Sequence, residues 1–277
     1  RYCLAFPTAV IFQFYFNPVF DGSTRLMSTQ QSLQEVIKEK NGAIRIGIIG
    51  AMDEEVELLK ASLEGREDHE YAGYHLFSGR MHGKEVVVLK SGIGKVNAAI
   101  GTTLLLREFK PDCVINTGSA GGFDPELNVG DIVISEDVRH HDVDVTIFGY
   151  EPGQVPGLPA SFKPEPFLAD VAERCISRME GMKTVKGQIA TGDAFMNDPE
   201  RVARTREVFP QMQAVEMEAA AIAQTCHQFG TPFIVIRALS DIAGKESNLS
   251  FEEFLVTAAK HSAEMVMAMV DEIAGQH

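Results

Sequence analysis

The sequence predicts an α/β domain with a mixed central β-sheet and helices on both faces. Three observations carry this. After residue 44, short β-branched runs alternate with stretches of helical periodicity. Two neighbouring runs, Tyr74 to Arg80 and Glu85 to Lys90, flank the turn Met81-His-Gly-Lys84, so they pair directly. No boundary rich in Pro, Gly or charge divides residues 44–277, so a single domain is expected there, with residues 1–43 as an N-terminal extension.

Within that extension, Tyr2 to Phe20 is nearly continuous apolar and aromatic sequence, broken by Pro7, Gln13, Asn17 and Pro18. A signal peptide or anchor is one reading; the two prolines and the lack of a small-residue cleavage site oppose it. The chain opens with Arg1, and Met27 begins an ordinary polar stretch. Residues 1–26 are therefore expected to come from cloning or a misplaced upstream start.

The first core strand is Arg45-Ile-Gly-Ile-Ile-Gly50. A helix follows with Asp53, Glu54 and Glu55 in its first turn, where acids suit the helix dipole. The opening lacks G-x-G-x-x-G and gives no support to a dinucleotide fold. Glu55 is either a surface acid or a functional one. Ser91-Gly-Ile-Gly-Lys95 is a loop into a helix from Val96 to Glu108; its spacing does not fit a phosphate loop. Cys113 to Thr117 is the next strand, expected to run into a Gly118-Ser-Ala-Gly-Gly122 loop. That run is either a tight turn or a ligand loop in which glycines allow close backbone approach and Ser119 offers a hydroxyl.

Gly130 to Ser135 is another strand, followed by Arg139-His-His-Asp-Val-Asp144. The two His and two Asp raise the question of a metal site. Adjacent histidines on an extended segment point to opposite faces, so no metal is expected. Thr146 to Pro164 is a long loop, of the kind that forms lids or interfaces. Glu165 to Met179 is an amphipathic helix, and Thr184 to Ala190 a strand leading to Phe195 and Met196. These two are either core filler or an apolar platform for a flat base. Pro199 to Val208 is a helix with proline near its start.

In Ala214-Val-Glu-Met-Glu-Ala-Ala-Ala221 a strand hands over to a helix that begins at Met217 and runs to Phe229. Glu216 and Glu218 sit at that junction, where α/β sheets bind ligands. Glu218 is expected to stay ionised at the helix N-terminus without a basic partner. An ionised carboxylate can accept two hydroxyl protons, as a ribose diol presents them; a solvated helix start is the plainer alternative. Pro232 to Ala238 is the last core strand, leading to Leu239-Ser-Asp241. In a dry pocket Asp241 needs a partner or a shifted pKa. Ser250, with Glu253, is the expected cap of a closing helix that reaches about Ile273.

The chain has 277 residues, 45% apolar, with a net charge of −14 and no basic stripe, which argues against nucleic acid or an anionic membrane as partner. Cys3, Cys113, Cys175 and Cys226 are scattered and read as reduced thiols of a cytoplasmic protein.

Six blocks, taken in order, resemble one family: Ile46-Gly-Ile-Ile-Gly-Ala-Met-Asp-Glu-Glu55, Ser91-Gly-Ile-Gly-Lys95, Asn116-Thr-Gly-Ser-Ala-Gly-Gly122, Gly192-Asp-Ala-Phe195, Val215-Glu-Met-Glu218 and Arg237-Ala-Leu-Ser-Asp241. They resemble the bacterial 5′-methylthioadenosine/S-adenosylhomocysteine nucleosidases of the purine nucleoside phosphorylase superfamily. The resemblance implies a nucleoside phosphorylase-like fold. It implies hydrolysis of the N-glycosidic bond to adenine and a 5-substituted ribose, a place in methionine salvage, a homodimer, and no metal or organic cofactor. By motif match, Asp241 resembles the acid that protonates adenine at N7, helped by Ser240, and Glu55 the base that activates water. Glu218 resembles the ribose-hydroxyl binder with Met217 against the sugar. Phe195 resembles the base-stacking ring, and Met196 the residue whose backbone meets the adenine edge. Ser119, Gly121 and Arg237 resemble supporting site residues. Phe251 resembles the ring closing the 5′ pocket, and Phe148 and Pro156 loop residues that enter the partner subunit's site.

Two positions depart from the family pattern. The family block often reads Met-Glu-Glu-Glu where this chain has Met52-Asp-Glu-Glu55, keeping the last acid; Met196 stands where Ile is common. The chemistry is sensible on its own terms: adenine leaves poorly unless protonated, and a separated second carboxylate leaves room for water. Rival readings are a purine nucleoside phosphorylase, a non-catalytic purine-binding protein, and a hydrolase of futalosine-type nucleosides. A phosphorylase would need cations around phosphate, which Glu55 would repel.

Overall fold

Three β-branched strands lie parallel and adjacent at the centre of the sheet: β1 (Arg45–Gly50), β5 (Cys113–Gly122) and β9 (Phe233–Ile242). The structure is a computed structural model that describes residues 31–124, 126–176, 183–244 and 247–275. The remaining strands are β2 (Glu64–Tyr71), β3 (Tyr74–Met81), β4 (Lys84–Lys90), β6 (Ile132–His140), β7 (Thr184–Thr191) and β8 (Met212–Glu216). Among the described residues they form one sheet in the order β2-β3-β4-β1-β5-β8-β7-β6-β9, and β5 also pairs with β9. That extra pairing closes β5, β8, β7, β6 and β9 into a ring, so this half is a barrel rather than an open sheet.

Side chains alternate across the central strands, as a period of two requires. Ile46, Ile48, Ile115, Ile234 and Ile236 join one buried cluster; Ile49, Val114 and Val235 join the other. Helices α1 (Leu33–Glu39), α2 (Asp53–Ala61), α4 (Pro166–Ile176) and α7 (Ser247–Ala274) contribute to the first. Helices α3 (Lys95–Glu108) and α6 (Ala219–Phe229) cover the other face. A third, smaller cluster forms under α5 (Pro199–Val208) through Val202 and Phe209.

The compact unit runs from Ser32, because α1 buries Leu33 and Ile37 in the core. Ser32 caps that helix in a reciprocal capping box with Glu35. Several expectations are corrected. Strand β2 went unrecognised because its residues are mostly exposed and polar; its place comes from antiparallel pairing with β3. The Gly118–Gly122 segment is no loop: all of it is strand, paired with β9 and β8. Strand β6 runs on through Arg139 and His140. Helix α6 starts at Ala219 rather than Met217. Helix α7 is already helical from Ser247, so Ser250 lies within its first turn and is not its cap. The extension of residues 1–26 and the end of the helix expected at Met179 lie outside the described residues.

Between Thr146 and Pro164 the chain forms one 3-10 turn, Thr146–Phe148, and a bridge from Phe162 to Val138. No helix among the described residues is long and apolar enough to cross a membrane.

Helix α1 gives the first testable consequence. Leu33→Ala is expected to destabilise the chain by ~3 kcal/mol in denaturant melts, as for other buried leucines. A loss below ~0.5 kcal/mol, the range of surface substitutions, would put α1 outside the cooperative unit.

Candidate active site

The ends of β1, β5, β8 and β9 face one cavity of about 180 Å³. Glu55 enters it from the first turn of α2, although it is 1% exposed. Its Oε2 accepts the N–H groups of Ala51 at 2.7 Å and Met52 at 3.2 Å. Its Oε1 accepts the Ser119 N–H at 2.8 Å and the Ser119 hydroxyl at 2.9 Å. Four donors thus converge on the two oxygens of one side chain. Gly118 makes this approach possible: a Cβ there would lie 2.4 Å from Arg237 Nη1 and 2.6 Å from Glu55 Oε1.

Glu216, in the cavity wall, and Arg237, behind it, form a buried ion pair at 2.5 Å. Arg237 also donates to Thr117 O at 3.2 Å and Asn116 Oδ1 at 2.9 Å. Glu216 accepts the Thr191 hydroxyl on one oxygen, and the N–H groups of Glu218 (2.9 Å) and Ala219 (2.7 Å) on the other. Its side chain therefore caps the start of α6.

That arrangement turns the Glu218 side chain toward the cavity. Glu218 Oε1 accepts the Gly94 N–H at 2.9 Å, while Oε2 stands 3.7 Å from Arg237. Burial pushes its carboxyl up to about 8, aided by the Glu216 carboxylate and opposed by Arg237 and the Gly94 N–H. This corrects the expectation of an acid held ionised by the helix dipole. A buried neighbouring acid occupies the arginine, and desolvation exceeds the dipole.

Asp241 lies across the cavity on β9. Burial pushes its carboxyl up to about 6, against the opposing hydrogen bond from Ser240. The Ser240 hydroxyl donates to Asp241 Oδ1 at 2.9 Å. The mouth is apolar: the Phe195 and Phe251 rings meet edge to face, with centroids 5.7 Å apart.

Of the residues singled out in the sequence, Glu55, Ser119, Gly121, Phe195, Met217, Glu218, Ser240, Asp241 and Phe251 line this cavity. Met196 lines an adjoining recess beside Gly121 and Asp241. Arg237 lies behind the wall at 1% exposure. Phe148 and Pro156 are not brought in; both are exposed on the loop after β6. Sequence reasoning did not single out Met52, Ile93 and Val215 of the lining, nor the anchoring role of Glu216. Glu216 alternates with Glu218 across the end of a strand, and that spacing was its only signal. Among the described residues, no group of three or more His, Cys, Asp or Glu gathers as a metal site.

Residues 45–271 match the family model of the phosphorylase superfamily, and the chain belongs to that superfamily. It is 63% identical over 227 residues to a 5′-methylthioadenosine/S-adenosylhomocysteine nucleosidase of Geobacillus kaustophilus (strain HTA426), covering 82% of this chain and 97% of the relative. The nucleosidase of Colwellia psychrerythraea 34H, solved in complex with adenine, matches with a TM-score of 0.82 and 52% identity over 83% and 96% of the two chains. That of Neisseria meningitidis, in complex with methylthio-immucillin-A, matches with a TM-score of 0.81 and 50% identity over 82% and 98%. Within the superfamily, the chain belongs with the 5′-methylthioadenosine/S-adenosylhomocysteine nucleosidases.

The raised carboxyls set a pH dependence of stability. Asp241 binds its proton more tightly folded, at about 6, than unfolded, near its ordinary 3.8. Its protonation therefore stabilises the fold fully below the unfolded value, and this contribution is lost as pH rises through about 6. Asp241→Asn should remove that slope, worth on the order of 2–3 kcal/mol between the two values. Thermal melts at successive pH values check it; an unchanged slope in the variant would assign the titration elsewhere.

Proposed function

We propose that this chain hydrolyses the N-glycosidic bond of 5′-methylthioadenosine and S-adenosylhomocysteine, and also of 5′-deoxyadenosine. The products are adenine and the 5-substituted ribose. One observation carries this reading: Glu55, Glu218 and Asp241, far apart in the chain, line one cavity with an aromatic mouth.

The chemistry follows from their differences. Asp241 carries a proton up to about pH 6 and gives it to the purine N7, with Ser240 holding its other oxygen. As the C1′–N9 bond breaks, its electron pair passes into the protonated purine and positive charge develops on the sugar. Glu55, held in place by its four donors, takes a proton from the water whose oxygen bonds to C1′. Glu218 receives the ribose hydroxyls, with Met217 against the sugar. Phe195 stacks on the base, the Met196 backbone meets its edge, and Phe251 closes over the 5′ group. Gly121 leaves room for the base beside Asp241, since a Cβ there would lie 3.1 Å from Asp241 Oδ2. The reaction so drawn needs neither metal nor organic cofactor, and its buried thiols suit the cytoplasm.

A homodimer fits the surface. Val96 is 69% and Ile147 87% exposed, and Ile93, Ile100 and Phe148 are also exposed large apolar residues. We read this set as one interaction face. In this reading a second copy covers it, and Phe148 and Pro156 reach the partner's cavity. Val96→Asp with Ile100→Asp is expected to yield a monomer by light scattering with lower activity; a dimer of unchanged mass would overturn this assignment.

Adenine release from 5′-methylthioadenosine, with and without phosphate, tests the reaction. Release should be independent of phosphate. Glu55→Gln and Asp241→Asn should each lower kcat by ~10²-fold or more, the range for lost acid–base groups. The kcat/KM should also fall as pH rises past about 6. Phosphate-dependent formation of a sugar 1-phosphate would favour a phosphorylase; adenine binding without turnover would favour a binding protein.

A further inference from the structure

The His-His-Asp-Val-Asp segment after β6 takes no part in the chemistry above, yet Asp142 stands at the centre of a closed polar ring. Asp142 Oδ1 accepts Lys95 Nζ at 2.6 Å, and its Oδ2 accepts the Asp193 N–H at 2.9 Å. Asp193 Oδ1 in turn accepts the Lys95 backbone N–H at 2.8 Å. Three segments separate in sequence, those following β4, β6 and β7, are thus locked to one another.

Two of the locked segments carry groups that meet the ligand. Next to Lys95 is Gly94, whose N–H donates to Glu218 Oε1 at 2.9 Å. Two residues beyond Asp193 is Phe195, at the mouth of the cavity. The register is held further by His141. Its N–H donates to Thr191 O at 2.9 Å. Its ring lies so close to Gly192 that a Cβ there would come within 2.4 Å of Cε1 and Nε2. Gly94 is similarly close: a Cβ would lie 3.3 Å from Asp193 Oδ1, and its φ is +95°.

We propose that Lys95, Asp142 and Asp193 are positioning residues, a clamp that sets the spacing between the Glu218 diol site and the Phe195 base platform. The proposal rests on the nucleosidase reading and extends it to residues that touch no substrate. The clamp is only partly buried, with the Lys95 and Asp142 side chains 19% and 32% exposed. Ion pairs that solvent still reaches add little to global stability. Small misplacement of binding groups nevertheless weakens activity steeply. The groups it places contact substrate before the bond breaks, so its loss should act on binding more than on turnover.

Full-chain Lys95→Met, Lys95→Arg, Asp142→Ala and the Lys95→Met/Asp142→Ala double variant test this, using 5′-methylthioadenosine turnover and thermal melting. Lys95→Met and Asp142→Ala should each raise KM ~10-fold or more while kcat changes less than ~3-fold. Tm should move by less than ~2 °C. Lys95→Arg should return KM to within ~3-fold of wild type, and the double variant should be no worse than Asp142→Ala alone, as for residues acting through one ring. Unchanged KM in both single variants, additive losses, or KM losses that merely follow falling Tm would overturn the clamp while leaving the nucleosidase intact. A wild-type chain that released no adenine would instead overturn the functional reading, and the clamp with it.

Discussion

The buried pair of Arg237 and Glu216 is the constraint on which the site depends. Arg237 stands on β9, reaches Thr117 O and Asn116 on β5, and meets Glu216 at the end of β8. These strands carry Ser119, Asp241 and the turn to Glu218. Two charges withdrawn from water in this way are costly unless their remaining polar groups are satisfied. Here Glu216 is satisfied by a hydroxyl, two helix N–H groups and the guanidinium. The pair thereby ties strand spacing to the entry angle of α6, which aims Glu218.

Once Glu216 occupies the arginine, the other acids must find different solutions. Glu55 meets four donors and no charged group in its hydrogen bonds. Asp241 meets one hydroxyl, and its carboxyl rises to about 6; Glu218 meets one backbone N–H and a more distant guanidinium, and rises to about 8. Acids of similar solution chemistry are thus separated by environment. Such separation lets one site hold a proton donor and a proton acceptor together.

Much of the fold was legible in the chain. The runs at β1, β5 and β9 are β-branched and buried, and their neighbours Lys95–Glu108 and Pro199–Val208 have clear helical limits. Strand β2 was not legible, since an exposed edge with polar residues has no apolar alternation to read. The Gly118–Gly122 run reads as a loop in the sequence because glycine favours turns. It is strand because the Glu55 and Arg237 side chains fill the space a Cβ would need, and two neighbouring strands hold its backbone. Helix α1 was not legible, because a short amphipathic helix of seven residues reveals its partner only in three dimensions.

Residue type and order alone determined the alternating α/β layout and the acids Glu55, Glu218 and Asp241 at the ends of elements. Strand and helix periodicity are local properties, and a strand's exit is marked by the residues that follow it. Only the tertiary structure decided that β5 and β9 pair and close half of the sheet, that Glu216 takes the arginine, and that Asp142 joins the segments after β4 and β7. Those outcomes depend on which distant groups share a low-dielectric space, and burial and charge act through distance in space, not through position along the chain.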